Sequence, residues 1–275
     1  MSSWAGIALA LRHPDEDAMK SRVPTYIHPL AGRALAWHGL RTLASLDPPP
    51  ANLFLLTAVP LDESVIRDLP VRIVRVAPDE WWAAALDALD ESVERVLLVD
   101  AAAPTLGPSL QSLVGSPRDG AIVGAAGVLA GWFGREELAA RAAGGMEDMV
   151  RVVAATAPAP DEDCLVRDRA TLARAGAIIR DRVVRDLMAG GATFLLPETV
   201  LVDVDVRIGA DSVIYPGVVL EGNTTIGTET VIGPGCRIID SWIGSGVELK
   251  GWNYIAGTRI RNRAVLEPYV RRGFD

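Results

Sequence analysis

Ile208-Gly209, Ile214-Tyr215-Pro216-Gly217, Leu220-Glu221-Gly222-Asn223, Ile226-Gly227 and Ile232-Gly233-Pro234-Gly235 follow one another at six-residue intervals inside the stretch Val202–Leu266. The aliphatic register starts at Val202 and runs to Ile238. It continues, after shortened steps, through Ile243, Leu249, Ile255, Ile260 and Leu266. A six-residue period suits neither an amphipathic helix, whose repeat is 3.6, nor a strand with alternating faces. It is the signature of a hexapeptide parallel β-helix. Each six residues form a short flat strand and a corner, with the aliphatic side chain in a narrow bore. The Gly, Asn or Asp beside it is expected to take the strained corner backbone. A single coil cannot bury its own inner face, so several must stack. Twelve aliphatic positions at three per coil predict about four coils.

Working outward, the remaining 200 or so residues are enough for one further domain. The chain is 275 residues long, 49% hydrophobic and 23% charged, which is a globular balance. A net charge of −8 speaks against a nucleic-acid surface. Lys20 and Lys250 are the only lysines. The two cysteines, Cys164 and Cys236, lie far apart and suggest neither a disulfide framework nor a metal cluster, as expected of a cytoplasmic protein. The apolar run Trp4–Leu11 is too short to span a membrane and lacks the basic flank of a signal peptide.

Before the repeat, apolar strands alternate with helices. Strands are predicted at Ile7–Leu11, Leu53–Thr57, Val71–Val76, Arg95–Asp100 and Ala121–Gly124. Helices are predicted over Arg33–Leu46, Asp62–Leu69, the segment through Trp81 and Leu89, and Leu165–Met188. That alternation predicts a parallel sheet with helices on both faces. The expected division is an α/β domain over 1–164, a linker helix within 165–195, and the β-helix over 196–275. In such sheets ligands sit beyond the carboxyl ends of the strands. Two places qualify. The loop after the first strand has no glycine between Gly6 and Gly32 and carries Asp15, Glu16 and Asp17. Arg12, Lys20 and Arg22 are its candidate nucleotide-phosphate contacts, against the alternative of a solvated loop. Asp100, at the end of an apolar strand, either holds Mg²⁺ or simply terminates the strand. His28 and His38 read as structural, and Trp81-Trp82 as core packing.

Taken together, Leu187-Met188-Ala189-Gly190-Gly191-Ala192, Leu220-Glu221-Gly222-Asn223-Thr224, Ile243-Gly244, and the His28-Pro29-Leu30-Ala31-Gly32 segment resemble the bacterial bifunctional enzyme that makes UDP-N-acetylglucosamine. The resemblance implies a Rossmann-like, nucleotidyltransferase-type α/β domain followed by a left-handed parallel β-helix that packs as a homotrimer. Tyr215, Trp242, Trp252 and Tyr254 would lie at that interface or else cap corners. Val99-Asp100 followed by Pro104 resembles the family's Mg²⁺-binding segment.

The departures from the family pattern are as informative. The signature loop should occupy Leu9–Met19, and only Met19 remains; both glycines and the arginine are missing. The phosphate-contacting lysine falls on Thr25, which carries no charge. The uracil-recognition segment is replaced by Val76-Ala77-Pro78-Asp79-Glu80. The late metal-binding asparagine falls near Arg167, which cannot ligate Mg²⁺ but can replace its charge. The segment between Gly120 and Asp161 is short for the family, and the sequence stops near Tyr269–Gly273, short of the acetyltransferase coils. The expectation is therefore a catalytically degraded relative, a pseudoenzyme serving as oligomeric scaffold, regulator or sugar-nucleotide binder. The alternative is an active Mg²⁺-dependent nucleotidyltransferase making a nucleotide sugar and pyrophosphate. Acetyl transfer is disfavoured, because no histidine follows His38.

Overall fold

The computed structural model describes residues 3–12, 18–66, 68–141 and 145–273. The chain divides into two compact units, Met1–Leu30 with Ala34–Ala175, and Ala31–Arg33 with Gly176–Asp275. Among the described residues no helix is long and apolar enough to cross a membrane.

The first unit is built on a seven-stranded sheet. Its strands are β1 (Trp4–Ala10), β2 (Asn52–Thr57), β3 (Arg72–Arg75), β4 (Arg95–Asp100), β5 (Gly120–Gly124), β6 (Gly127–Gly134) and β7 (Ala154–Thr156), in the spatial order β3-β2-β1-β4-β6-β5-β7. β1 lies near the middle and every residue of it is buried, which is why it reads as an unbroken apolar run. Phe54, Leu56, Leu98, Trp81 and Phe133 pack with Ile7 in the core. The helices are α1 (Leu35–Ala44), α2 (Trp81–Ala88), α3 (Pro108–Leu113), α4 (Arg135–Arg141), α5 (Gly145–Val150) and α6 (Arg169–Ala189).

The expected all-parallel sheet is corrected in one respect. β3, β2, β1 and β4 are parallel, but β6 runs antiparallel to both β4 and β5. The sequence reading missed β6 because Gly-Val-Leu-Ala-Gly-Trp-Phe-Gly alternates neither in polarity nor in size. It pairs on both edges and is buried through its middle, so no period-2 signal remains. The helix expected over Asp62–Leu69 is only a single 3₁₀ turn, Glu63–Val65, capped by the Asp62 carboxylate accepting from Ser64 N–H at 2.7 Å.

The second unit contains the β-helix. Its short strands form three parallel sheets of five, five and four strands, so the stack runs to between four and five coils. The first strand, Thr193–Phe194, pairs with Val213–Ile214. The aliphatic repeat falls into three columns: Phe194, Ile214, Ile232, Leu249 and Leu266; Val202, Leu220, Ile238 and Ile255; and Ile208, Ile226, Ile243 and Ile260. The shortened steps are absorbed at corners, because Ile243 still pairs with Ile226 and Ile260 with Ile243. Most of these side chains are fully buried. Beside the bore, Ser212, Thr224, Thr230, Ser241 and Asn253 are buried and donate to the backbone carbonyls of Gly227, Glu221, Gly244, Ile239 and Glu267, at 2.7–2.9 Å. They satisfy backbone acceptors along the stack.

The glycines after the bore residues play a different part from the one expected. Gly209, Gly227, Gly233 and Gly244 do not have positive φ. Left-handed backbone occurs two or three residues beyond the bore residue, at Asp211, Gly217, Gly222, Glu229, Gly235 and Gly246. The Ile-Gly glycines are required by proximity instead. A Cβ on Gly209, Gly227 or Gly244 would stand 2.6 Å from a backbone nitrogen of the next coil, and one on Gly233 would stand 2.6 Å from Leu249 O.

Candidate ligand cleft

The parallel register of β1 and β4 sets Leu9 beside Asp100, so the chain leaving β1 passes over the carboxylate that ends β4. Arg12 then reaches it: Nη2 donates to Asp100 Oδ2 at 2.8 Å. The other carboxylate oxygen, Oδ1, accepts from Ala102 N–H at 2.8 Å, closing a local turn. Burial raises the Asp100 carboxyl above its ordinary range, opposed by the Arg12 charge, the Ala102 N–H and the Arg167 charge. Arg167 faces the same hollow. Its Nη2 donates to Ala126 O at 3.1 Å, and a Cβ on Gly127, at φ +133°, would come within 3.2 Å of that nitrogen. The first glycine of β6 thus leaves room for this guanidinium.

These groups line a cleft of about 340 Å³ with apolar walls from Leu9, Leu11, Pro78, Trp81, Val128 and Met146. Glu147, exposed on α5, is the second carboxylate on its edge. The cleft sits beyond the carboxyl ends of β1 and β4, where open α/β sheets bind ligands. It combines an apolar slot with two guanidinium groups, a combination suited to an organic anion.

Of the residues singled out from the sequence, Arg12 and Asp100 come together here and Arg167 joins them. Lys20 and Arg22 do not line the cleft; both are exposed, and Lys20 sits at φ 49°. Asp15, Glu16 and Asp17 lie outside the described residues. Thr25 is buried, and the neighbouring Tyr26 hydroxyl donates to Arg12 O at 3.4 Å, so this segment steadies the strand exit rather than presenting charge. Trp81 is core, as its spacing suggests, and its remaining edge also forms wall. Val128, Met146 and Glu147 carry no sequence signal for this site. They reach it only because β6 inserts next to β4 and α5 packs over β6.

The described residues do not offer Mg²⁺ a site. Both oxygens of Asp100 are engaged, one of them by a cation, and a second cationic side chain faces the same space. Among the described residues no group of three or more His, Cys, Asp or Glu side chains is placed to hold a metal.

Residues 205–240 match the family described as "Bacterial transferase hexapeptide (six repeats)". The chain is 43% identical over 114 residues to "Bifunctional protein GlmU" of Geobacillus sp. (strain WCH70), an alignment covering 42% of this chain and 25% of that protein. It is 41% identical over 110 residues to "Bifunctional protein GlmU" of Alkaliphilus oremlandii (strain OhILAs), covering 40% and 24%. Over these stretches the chain is similar to GlmU. Its matches span about a quarter of the length of these relatives. Among solved structures, a nucleotidyl transferase from Methanothermobacter thermautotroptrophicus superposes with a TM-score of 0.53 at 14% identity, over 68% of this chain and 100% of that one. The chain therefore joins an α/β unit with the fold of that nucleotidyl transferase to a hexapeptide β-helix, with an arginine–carboxylate pair in the first unit's cleft.

Proposed function

We propose that this protein is a self-associating, GlmU-like binder of a sugar nucleotide that no longer performs nucleotidyl transfer. The observation that carries the reading is the 2.8 Å pairing of Asp100 with Arg12. Phosphoryl and nucleotidyl transfer depend on positioning and on neutralising charge as it develops, and losing one such group often costs on the order of a hundredfold in rate. In this chain the strand-end carboxylate is paired with a guanidinium, the asparagine expected to complete a metal site falls near Arg167, the expected phosphate lysine falls on Thr25, and the glycines of the expected phosphate loop are missing. The cleft itself remains, about 340 Å³ with apolar walls for a base or sugar and two cationic side chains for a diphosphate.

The β-helix is the assembling element in this reading. Its outer faces carry aromatic and arginine side chains in register. Arg259 lies 4.2 Å from the Trp242 ring centroid, Arg271 lies 5.3 Å from that of Tyr254, and Trp252 stacks on Tyr269 at 5.8 Å. Trp252 and Tyr269 remain 54% and 72% exposed. We assign these faces to a homotrimer.

The test is calorimetric titration with UDP-N-acetylglucosamine and UTP, together with a pyrophosphate-release assay on a panel of sugar 1-phosphates with Mg²⁺. Binding without turnover is the expected result. Turnover at ordinary enzymatic rates, on the order of 1 s⁻¹ or faster, overturns the loss of transfer chemistry, and no binding of either nucleotide overturns the binder reading. Size-exclusion chromatography with light scattering tests assembly separately, and a monomer at micromolar concentration rejects the trimer.

A further inference from the structure

The cleft's charges are arranged for an anion rather than for a cation, and this bears on how any ligand is held, given the binder reading above. Asp100 is deeply set, with 17% of its side chain exposed, while Arg12, which also lines the cleft, is 32% exposed. A guanidinium has five N–H donors in a fixed fork, and the bond to Asp100 engages Nη2. Arg167 is the second fork, steadied on Ala126 O and given room by Gly127. A divalent cation entering here would meet two positive side chains and a carboxylate whose oxygens already accept two hydrogen bonds. Glu147, the one other carboxylate on the cleft wall among the described residues, is exposed and screened by water.

We propose that the cleft is a metal-independent phosphate site, in which Arg12 and Arg167 together take the diphosphate of the ligand and Asp100 is a positioning residue that orients Arg12. Asp100 has a double effect. Its bond aims Arg12 into the cleft, and its negative charge opposes the incoming anion. Pairing keeps the buried carboxylate compensated before the ligand arrives, because an isolated charge there would be costly. The ligand class is a diphosphate attached to an apolar or aromatic group that fits the Trp81 side of the slot.

Inorganic pyrophosphate is the probe, titrated calorimetrically into the full chain in EDTA and again in Mg²⁺. Binding is expected in EDTA with an affinity unchanged by Mg²⁺, apart from the metal's own complexation of pyrophosphate. Asp100→Asn removes the opposing charge and is expected to tighten binding by roughly tenfold, the order of one charge-assisted hydrogen bond. Arg167→Met is expected to weaken it by about the same factor. Where Asp100→Asn does not fold, Arg167→Met titrated in EDTA decides alone, and pyrophosphate binding as tight as wild type in that variant overturns the site. The proposal is overturned by pyrophosphate binding only with Mg²⁺, or by weaker binding in Asp100→Asn, as a metal ligand would give. Absence of pyrophosphate binding under both conditions also overturns it. The sugar-nucleotide titration is a separate measurement, so Mg²⁺-dependent pyrophosphate binding sinks metal independence while leaving the binder reading standing.

Discussion

Gly227→Ala is the sharpest test of how the β-helix is built. The backbone at Gly227 does not lie in the left-handed region, so alanine is conformationally acceptable there. The obstacle is the coil above: an added Cβ would stand 2.6 Å from Ser245 N, 2.6 Å from Ser245 Oγ and 2.8 Å from Gly244 C. Restoring an ordinary contact of 3.4 Å needs a displacement of about 0.8 Å, and two of the three contacts are backbone atoms that have no rotamer to change. The same two coils are joined by Gly227 N–H to Ile243 O at 2.8 Å and Thr225 N–H to Ser241 O at 2.9 Å. Stretching these by about 0.8 Å takes both beyond useful hydrogen-bond length. Overpacking costs about 1–3 kcal/mol and each lost bond about 1, which together put the loss at roughly 4 kcal/mol. Urea unfolding followed by far-UV circular dichroism reads this as a drop of roughly 2 M in the midpoint of the β-helix transition. Gly246→Ala is the companion variant. Its φ is +66°, but the nearest atom to an added Cβ is Arg263 Cγ at 3.4 Å, so it incurs only left-handed strain of about 1–2 kcal/mol. A Gly227→Ala loss no larger than that of Gly246→Ala would refute the excluded-volume account and return these glycines to a conformational role.

Three further outcomes follow from the same geometry. Glu229 is exposed at φ 56°, so Glu229→Gly relieves left-handed strain and leaves stability unchanged or raised by up to about 1 kcal/mol, whereas Glu229→Val lowers it; both are read from the same urea curves. Ile238 is fully buried in the bore between Leu220 and Ile255, and Ile238→Ala is expected to cost about 2–5 kcal/mol through the cavity it leaves. Asp168 precedes α6, and its carboxylate accepts from Thr171 N–H and hydroxyl, each at 2.7 Å. Those bonds hold its pKa below the ordinary carboxylate value, so its contribution is present above the unfolded-state pKa and is lost as pH falls through the lower folded value. The stability gap between wild type and Asp168→Ala should be full at neutral pH and shrink in acid; a gap that stays constant down to about pH 2 contradicts the linkage.

The β-helix was legible in the sequence because its order is nearly one-dimensional. Each coil contacts its neighbours, so the register of Ile208, Ile226 and Ile243 along the chain is also their register in space. The strands β1, β2 and β4 were legible too, as apolar runs bounded by polar loops. The middle of the first unit was less so. β6 has no alternation to betray it, and its antiparallel insertion between β4 and β5 is a long-range pairing that no local pattern encodes.

The same division runs through the candidate site. Residue types singled out Arg12 and Asp100, and the family resemblance added Arg167, because charge at a strand end or near an expected asparagine is visible in one dimension. Whether Asp100 meets a cation, and which one, depends on the Leu9–Asp100 register and on where Gly127 leaves room for Arg167, and these are tertiary facts. Lys20 and Arg22 had the right charge and the right neighbourhood in sequence, yet the chain turns them to solvent, since a few residues of loop can reverse the direction of a side chain without altering composition. Local repeats and strand polarity thus determined the two folds, while the three-dimensional packing alone decided that the strand-end carboxylate is paired with arginine.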